Sequence, residues 1–411
     1  MESVVSTSHL TWLQSFAQRQ LFNMAQTLTD VGLEIIDQEQ VYFFGEKSAA
    51  LQASLEVLDP KFYLKILLGG SIASGETWVD ESWRSDDLTA VIRVFARCAE
   101  EFDTVENQFS WLSAPLLKLY QWRTQNSKAG SRSNIAAHYD LGNDMYLEFL
   151  DPMMQYSAGV FTEPHTDLAT AQQIKLKTLC DKLALKTSDH LLEVGTGWGG
   201  LAIFAAKNYG CKVTTTTLSQ EQFNYAKAWV EKEGLADKIT LLLSDYRDLE
   251  GEYDKIISVE MIEAVGHKFL PTYFKKLDSL LKPQGRLVIQ AITIADQRYD
   301  AYRSSTDFIQ KYIFPGGCLP SVSEMCRHLK NQTDMTLTEL NSYGHDYAQT
   351  LKCWANNFSR SSQALKKQGY GEDFQRLWQY YFSYCEGGFL EGRIDLVHIQ
   401  ADKTAARRQS L

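Results

Sequence analysis

The sequence predicts an α/β protein: a doubly wound, largely parallel sheet preceded by a smaller N-terminal α+β domain. Three observations carry that expectation. From Asp140 onward, helical and strand patterns alternate, which builds a sheet covered by helices on both faces. Within that stretch, Leu191-Leu192-Glu193-Val194-Gly195-Thr196-Gly197-Trp198-Gly199-Gly200 reads as a short buried strand, a tight turn and a helix start. A chain of 411 residues, 44% hydrophobic and 22% charged, is long enough for two or more globular domains and too apolar to be disordered.

In chain order, residues 9–28 carry apolar side chains at helical spacing (Leu10, Leu13, Phe16, Leu21, Met24). Leu33 to Gly45 reads as a hairpin turning at Asp37-Gln38-Glu39. Leu51, Ala53, Leu55 and Val57 alternate as in a half-buried strand, and Asp59-Pro60 opens a helix through Leu68. Residues 85–101 form a second helical pattern, capped by Ser85 or Asp86. The domain is expected to span 1–105. Residues 106–133 form a basic, aromatic-containing linker. No acid occurs between Asn107 and Tyr139, whereas Lys118, Arg123, Lys128 and Arg132 do, behind Trp111, Leu116, Leu117, Tyr120 and Trp122. This stretch is either a solvated connection or an interfacial segment resting on anionic headgroups.

The remainder, 134–411, is expected to be the catalytic domain. Helices are predicted over 168–184, 199–208, 219–233 and 268–281. Strands are predicted over 189–194, 211–217, 239–243, 254–259 and 285–291, with a helix stop and turn at Lys282-Pro283-Gln284-Gly285. Residues 300–385 read as mostly helical and aromatic-rich, and Ile394 to Ile399 returns to the sheet.

A net charge of −10 argues against nucleic acid as the main partner. No basic n-region leads into an apolar core at the N-terminus, and no run approaches the length that crosses a bilayer. The seven cysteines are odd in number and include no C-x-x-C, which points to reduced thiols in a cytoplasm and to no metal site.

Sheets of this kind bind ligands beyond the carboxyl ends of their strands, where the glycine turn, Thr217, Asp245 and Glu260 to Glu263 all fall. The third glycine comes one place early for a dinucleotide fingerprint, and the next strand ends in Thr rather than an acid. The pattern fits the E/D-x-G-x-G turn of class I S-adenosylmethionine (SAM)-dependent methyltransferases better. Gly195 and Gly197, after Glu193, let the backbone approach the methionine part. Thr217 and Gln222 suit the ribose hydroxyls. Asp245 and Tyr246 suit the adenine, although Asp245 also reads as a loop cap.

Several stretches resemble the cyclopropane-fatty-acyl-phospholipid synthase family, which includes mycolic acid methyltransferases. They are Ile135-Ala136-Ala137-His138-Tyr139-Asp140-Leu141-Gly142, Met154-Gln155-Tyr156-Ser157, the glycine turn, Thr217-Leu218-Ser219-x-x-Gln222, Asp245-Tyr246-Arg247-Asp248, Met261-Ile262-Glu263-Ala264-Val265-Gly266, Lys311 to Ser321, and Tyr380-Tyr381. The resemblance implies methyl transfer from SAM to a cis double bond of a phospholipid acyl chain, with Tyr156 and Ser157 among the SAM-binding residues and an N-terminal lipid-handling domain. Location at the inner face of an anionic membrane and a homodimer are further expectations.

Alkene attack on the sulfonium methyl leaves a carbocation, which aromatic faces stabilise without trapping it. Tyr156, Phe161, Tyr302, Tyr312, Phe314, Tyr347, Tyr380 and Tyr381 are candidates. The family commonly holds a bicarbonate ion as the base. By resemblance its site maps to Ala158, Glu263, Gln290, Ile292 and Tyr347, with Ala and Gln where relatives have Cys and His. A glutamine donates to an anion but cannot become cationic, so ring closure and methyl-branched or methylene products both stay open. Glu263 is expected to hold the anion's proton or to stabilise the cation through space. Cys385 matches an active-site Cys of the family. Two other readings are a methyltransferase for a different lipid or polyketide-like alkene, and a non-catalytic lipid-binding protein.

Overall fold

The computed structural model describes residues 10–97, 124, 126–128, 130–131 and 142–407. Most of the basic linker, including Trp111, Lys118, Arg123 and Arg132, and the Ile135–Leu141 motif lie outside these residues. The chain forms two compact units, Met1–Lys118 with Gly371–Glu391, and Leu119–Tyr370 with Gly392–Leu411.

The first unit contains the helix α1 (Trp12–Ala25), capped by Thr11 in a reciprocal capping box with Gln14. β1 (Val31–Asp37) and β2 (Gln40–Gly45) form the expected hairpin. β3 (Leu51–Val57) pairs parallel to β1, and its alternating burial matches its alternating sequence. α2 (Lys61–Val79) runs well past Leu68, because Gly70 takes a φ of +49° and the helix resumes beyond that break. After β4 (Trp83–Arg84) comes α3 (Leu88–Arg97), capped by Asp87, whose Oδ1 accepts from the Ala90 N–H at 2.9 Å, rather than by Ser85 or Asp86.

The long helix Glu372–Leu390, expected in the catalytic domain, packs here instead, against α2 and α3. Gly387 permits this approach: a Cβ there would stand 2.7 Å from Ile92 Cγ2. Glu391, at the end of this helix, pairs with Arg93 at 2.6 Å and Arg97 at 2.7 Å. Tyr380, Tyr381 and Cys385 therefore belong to the first unit.

The second unit is a seven-stranded sheet. Its strands are β5 (His190–Val194), β6 (Lys212–Thr217), β7 (Ile239–Leu243), β8 (Tyr253–Val259), β9 (Leu281–Ile294), β10 (Met335–Ser342) and β11 (Ile394–Lys403). The spatial order is β10-β11-β9-β8-β5-β6-β7, parallel except that β11 runs antiparallel to both neighbours. The longer helices are α4 (Leu168–Leu183), α5 (Gly200–Tyr209), α6 (Gln220–Lys232), α7 (Leu270–Leu280), α8 (Val322–Gln332) and α9 (Gly344–Arg360). Successive strand residues point to opposite faces. Leu192, Ile256, Leu287 and Ile289 join the core under α7, while Leu191, Ile257 and Val288 join the core under α4 and α5.

Two local expectations are corrected. Lys282-Pro283-Gln284-Gly285 is not a free turn but an irregularity inside β9, where pairing with β8 jumps from Tyr253↔Leu281 to Lys255↔Arg286. Residues 335–342, expected to be helical, form the edge strand β10, whose mostly exposed, polar side chains hide the period of a strand.

Candidate active site

The loops at the carboxyl ends of the parallel strands carry the candidate site. After β5, the Gly195 and Thr196 N–H groups donate to Thr216 O at 3.2 and 3.0 Å, which turns the chain sharply. Gly197 follows at φ +53°, and a Cβ built on it meets no protein atom within 4 Å. Space for a ligand therefore lies against this backbone. Gly200 is the opposite case: a Cβ there would stand 2.4 Å from Met153 O, so its smallness serves packing.

Glu193 is buried beneath the turn, and its Oε2 has no hydrogen-bond partner among the described residues. Burial pushes its carboxyl up to about 8. Thr217, at the end of β6, donates to Gln222 Oε1 at 2.9 Å. Asp245 caps the turn Tyr246–Asp248. Burial works against its charge, yet the Arg247 guanidinium, on Oδ1 at 2.8 Å and Oδ2 at 2.6 Å, holds its carboxyl below the usual range. The loop-cap role is thus realised. Arg247 also donates to Asn126 O at 3.2 Å and Ser131 Oγ at 3.3 Å, so the end of the linker packs on this unit. Lys128 pairs with Asp248. Burial raises the Tyr246 hydroxyl to about 12.

The Tyr156-Ser157 loop is pinned from below. Lys175 on α4 is fully buried and donates to Gln155 Oε1 at 2.7 Å and Ser157 Oγ at 2.8 Å. Burial pulls its ammonium down to about 8, while nearby Glu260, Asp151 and Glu193 favour the charged form. The Tyr156 ring lies 5.3 Å from Tyr146, 5.2 Å from Trp354 and 6.3 Å from Phe314, forming an aromatic wall.

Beyond β8 two carboxylates sit close together. Glu263 Oε1 accepts from the Ile292 N–H at 2.6 Å, and Oε2 has no partner among the described residues. Burial, and next the charge of Glu260, push Glu263 up to about 8. Glu260 is far better supplied. Its Oε1 accepts from the Ala158 N–H at 3.0 Å and Gln290 Nε2 at 2.8 Å, and its Oε2 accepts from the Tyr347 hydroxyl at 2.6 Å. Burial raises its carboxyl, opposed by these three donors and by Lys175. The shared proton of the pair therefore belongs on Glu263, and the charge on Glu260. His398 Nε2 lies 2.8 Å from Gln290 Oε1 and must donate, since an amide oxygen only accepts. Burial drives the His398 imidazole down to about 3, so it stays neutral.

The structure thus brings Gln290, Tyr347 and Glu260 together with Glu263 beside them, and gathers Tyr156, Ser157 and Lys175 on the neighbouring loop and helix. Cys385 lies half-buried in the first unit. Sequence reasoning missed the roles of Glu260, Lys175 and His398. One signal was available for Lys175: four residues from both Ala171 and Leu179, it falls on the apolar face of α4.

Comparison with known proteins gives the family and the fold. The family described as mycolic acid cyclopropane synthetase matches residues 126–399. The tuberculostearic acid methyltransferase UfaA1 of Mycobacterium tuberculosis is 39% identical over 336 residues, covering 80% of this chain and 78% of its own. The cyclopropane-fatty-acyl-phospholipid synthase of Escherichia coli K12 is 36% identical over 346 residues, covering 84% and 86%. Among solved structures, the cyclopropane synthase MmaA2 of M. tuberculosis superposes with a TM-score of 0.62 at 28% identity, covering 66% of this chain and 98% of its own. The mycolic acid cyclopropane synthase CmaA1, complexed with SAH and CTAB, gives 0.61 at 28% identity with the same coverage. The chain belongs to the mycolic acid cyclopropane synthetase family, with the fold of the class I SAM-dependent methyltransferases.

Proposed function

We propose that the protein transfers a methyl group from SAM to the double bond of an unsaturated phospholipid acyl chain and closes a cyclopropane ring. One arrangement supports this reading. The open glycine turn follows β5, and the half-buried Glu260 and Glu263 follow its parallel neighbour β8, so a methyl donor held at the turn would lie beside a base. SAM, when bound, supplies an electrophilic sulfonium methyl. Its methionine part would be held by the backbone at Gly195 and Gly197 above Glu193, its ribose by Thr217 and Gln222, and its adenine by Asp245 and Tyr246, with Tyr156 and Ser157 also in the SAM site. The rings of Tyr156, Trp354 and Phe314 would stabilise the cation and exclude water, and neither role forms a covalent bond.

A second reading is a methyl-branched or methylene product. Ala158 and Gln290 favour it, since they stand where a Cys and a His are expected, and relatives of similar identity include fatty acid methyltransferases.

The test is SAM calorimetry on the full chain, followed by reaction with vesicles of a cis-unsaturated phospholipid. We expect SAM binding and a lipid mass gain of one methylene unit, with cyclopropane proton signals by NMR. Vinylidene signals, or a saturated branch, would replace the first reading by the second. SAM binding with no lipid product would leave a non-catalytic lipid-binding protein.

A further inference from the structure

By resemblance, a bicarbonate ion would lie among Ala158, Glu263, Gln290, Ile292 and Tyr347. Those donors are already taken. The Ala158 N–H, the Gln290 amide and the Tyr347 hydroxyl all point at the Glu260 carboxylate, and the Ile292 N–H points at Glu263. A second anion would lack these partners and would meet the negative charge of Glu260. The residues do not fit bicarbonate.

The backbone supports a dedicated role for Glu260. It adopts φ +47°, a left-handed conformation that a side chain with a Cβ rarely takes. Strain of this kind persists where the surroundings over-determine it, and it gathers at active sites. Here the surroundings grip the residue at both ends, because the Glu260 N–H donates to Gln290 O at 2.8 Å while the Gln290 side chain donates to its carboxylate. His398 in turn fixes which way the Gln290 amide faces.

We propose that Glu260 supplies, within the chain itself, the carboxylate that an open anion site takes up as bicarbonate, and that it accepts the proton released by the methylated acyl chain. This rests on the reaction proposed above. After methyl transfer, the acyl chain carries the new C–C bond and an electron-deficient carbon beside it. A C–H bond of the added methyl breaks. Its electron pair closes the ring on the electron-deficient carbon, and its proton passes to Oε2 of Glu260. Both lone pairs of Oε1 are engaged, whereas among the described residues Oε2 has Tyr347 as its donor and keeps one lone pair for that proton. Glu260 becomes the neutral acid and returns the proton to water after product leaves. No external anion, oxidant or reductant takes part.

The experiment compares the full-length wild type with Glu260→Gln and Glu260→Gly. Isotopically labelled bicarbonate is titrated and followed by NMR, SAM affinity is measured by calorimetry, and lipid methylation is assayed in carbon-dioxide-free buffer with and without added bicarbonate. We expect wild-type turnover that ignores bicarbonate and no saturable bicarbonate binding. Glu260→Gln should lose at least about a hundredfold in turnover, unrescued by bicarbonate because the amide fills the same space. Glu260→Gly relieves the positive φ and frees the donors. It should gain saturable bicarbonate binding and recover roughly tenfold of the lost rate when the ion is added. SAM affinity should stay at the wild-type value in both variants. Saturable binding or a rate requirement in the wild type, or a fully active Glu260→Gln, would overturn the proposal. The wild-type titration needs no variant to fold and no lipid to react. A wild type that binds SAM but methylates nothing therefore refutes the reaction, while the bicarbonate titrations still decide for or against Glu260.

Discussion

Glu263 and Glu260 lie three residues apart and differ in hydrogen-bond supply. Glu260 has three donors, and Glu263 has the Ile292 N–H with Oε2 unpartnered among the described residues. The neutral acid therefore belongs at Glu263. An amide mimics that acid, so Glu263→Gln should lower turnover by less than about tenfold while Glu260→Gln lowers it far more, a contrast read from kcat at saturating SAM. Stability supplies an independent check. Burial, with Glu260 as the next cause, raises Glu263 to about 8 in the folded state, and burial raises Glu193 to about 8. Their unfolded values lie near the ordinary ~4.3 of a glutamate. Between those limits the native state holds protons that the unfolded state has released. Stability is then fullest below the unfolded value and is lost as pH rises toward about 8. The thermal midpoint should fall across that window, and Glu263→Gln should flatten the slope by one proton's worth.

At the scale of elements, Gly197 and Gly200 of the turn separate binding from folding. Gly197 faces open space, so Gly197→Val should abolish SAM binding in a protein that still folds; unchanged affinity by calorimetry would remove the turn from the site. Gly200 begins α5 with Met153 O and Gln155 Nε2 within 2.4 Å of any added Cβ. Gly200→Ala should therefore destabilise by about 1–3 kcal/mol in denaturant titrations, the scale of overpacking, by pushing α5 off the Met153–Gln155 loop. That loop is the one whose Gln155 and Ser157 accept from buried Lys175. Lys175→Met fills similar volume but leaves both acceptors without their donor. It should lower SAM affinity through Tyr156 and Ser157 more than it lowers the thermal midpoint.

Across the whole molecule, net charge and local charge disagree. The chain carries −10, yet the acid-free stretch from Asn107 to Tyr139 holds Lys118, Arg123, Lys128 and Arg132. Among the described residues no helix is long and apolar enough to cross a membrane. Vesicle binding should require anionic lipid and weaken with salt, with each basic residue near the surface contributing roughly 1 kcal/mol. Reversing the four basic residues to Glu should abolish it. Lys128 already pairs with Asp248, so Lys128→Glu alone should weaken binding least. Sedimentation with vesicles over a salt series measures both effects, and binding that survives the fourfold reversal would make the segment a connection only.

The sequence by itself determined the alternation of helix and strand, the glycine turn, and the placing of Thr217, Asp245 and Glu263 at or just beyond the carboxyl ends of strands. These follow from local periodicity and from turn chemistry, which neighbouring residues specify. By resemblance it also put Ala158 and Gln290 where relatives have a Cys and a His. Tertiary structure alone decided what those two positions touch. Glu260 meets Ala158, Gln290 and Tyr347 across 102, 30 and 87 positions of chain, and its positive φ is imposed by those partners rather than by its own preference. The same holds for the edge strand β10, whose polar face carries no period of its own, and for the helix Glu372–Leu390. That helix finds its apolar partners on α2 and α3, nearly three hundred residues earlier in the chain. Burial and pairing between distant segments set protonation and position, and no window of sequence contains them.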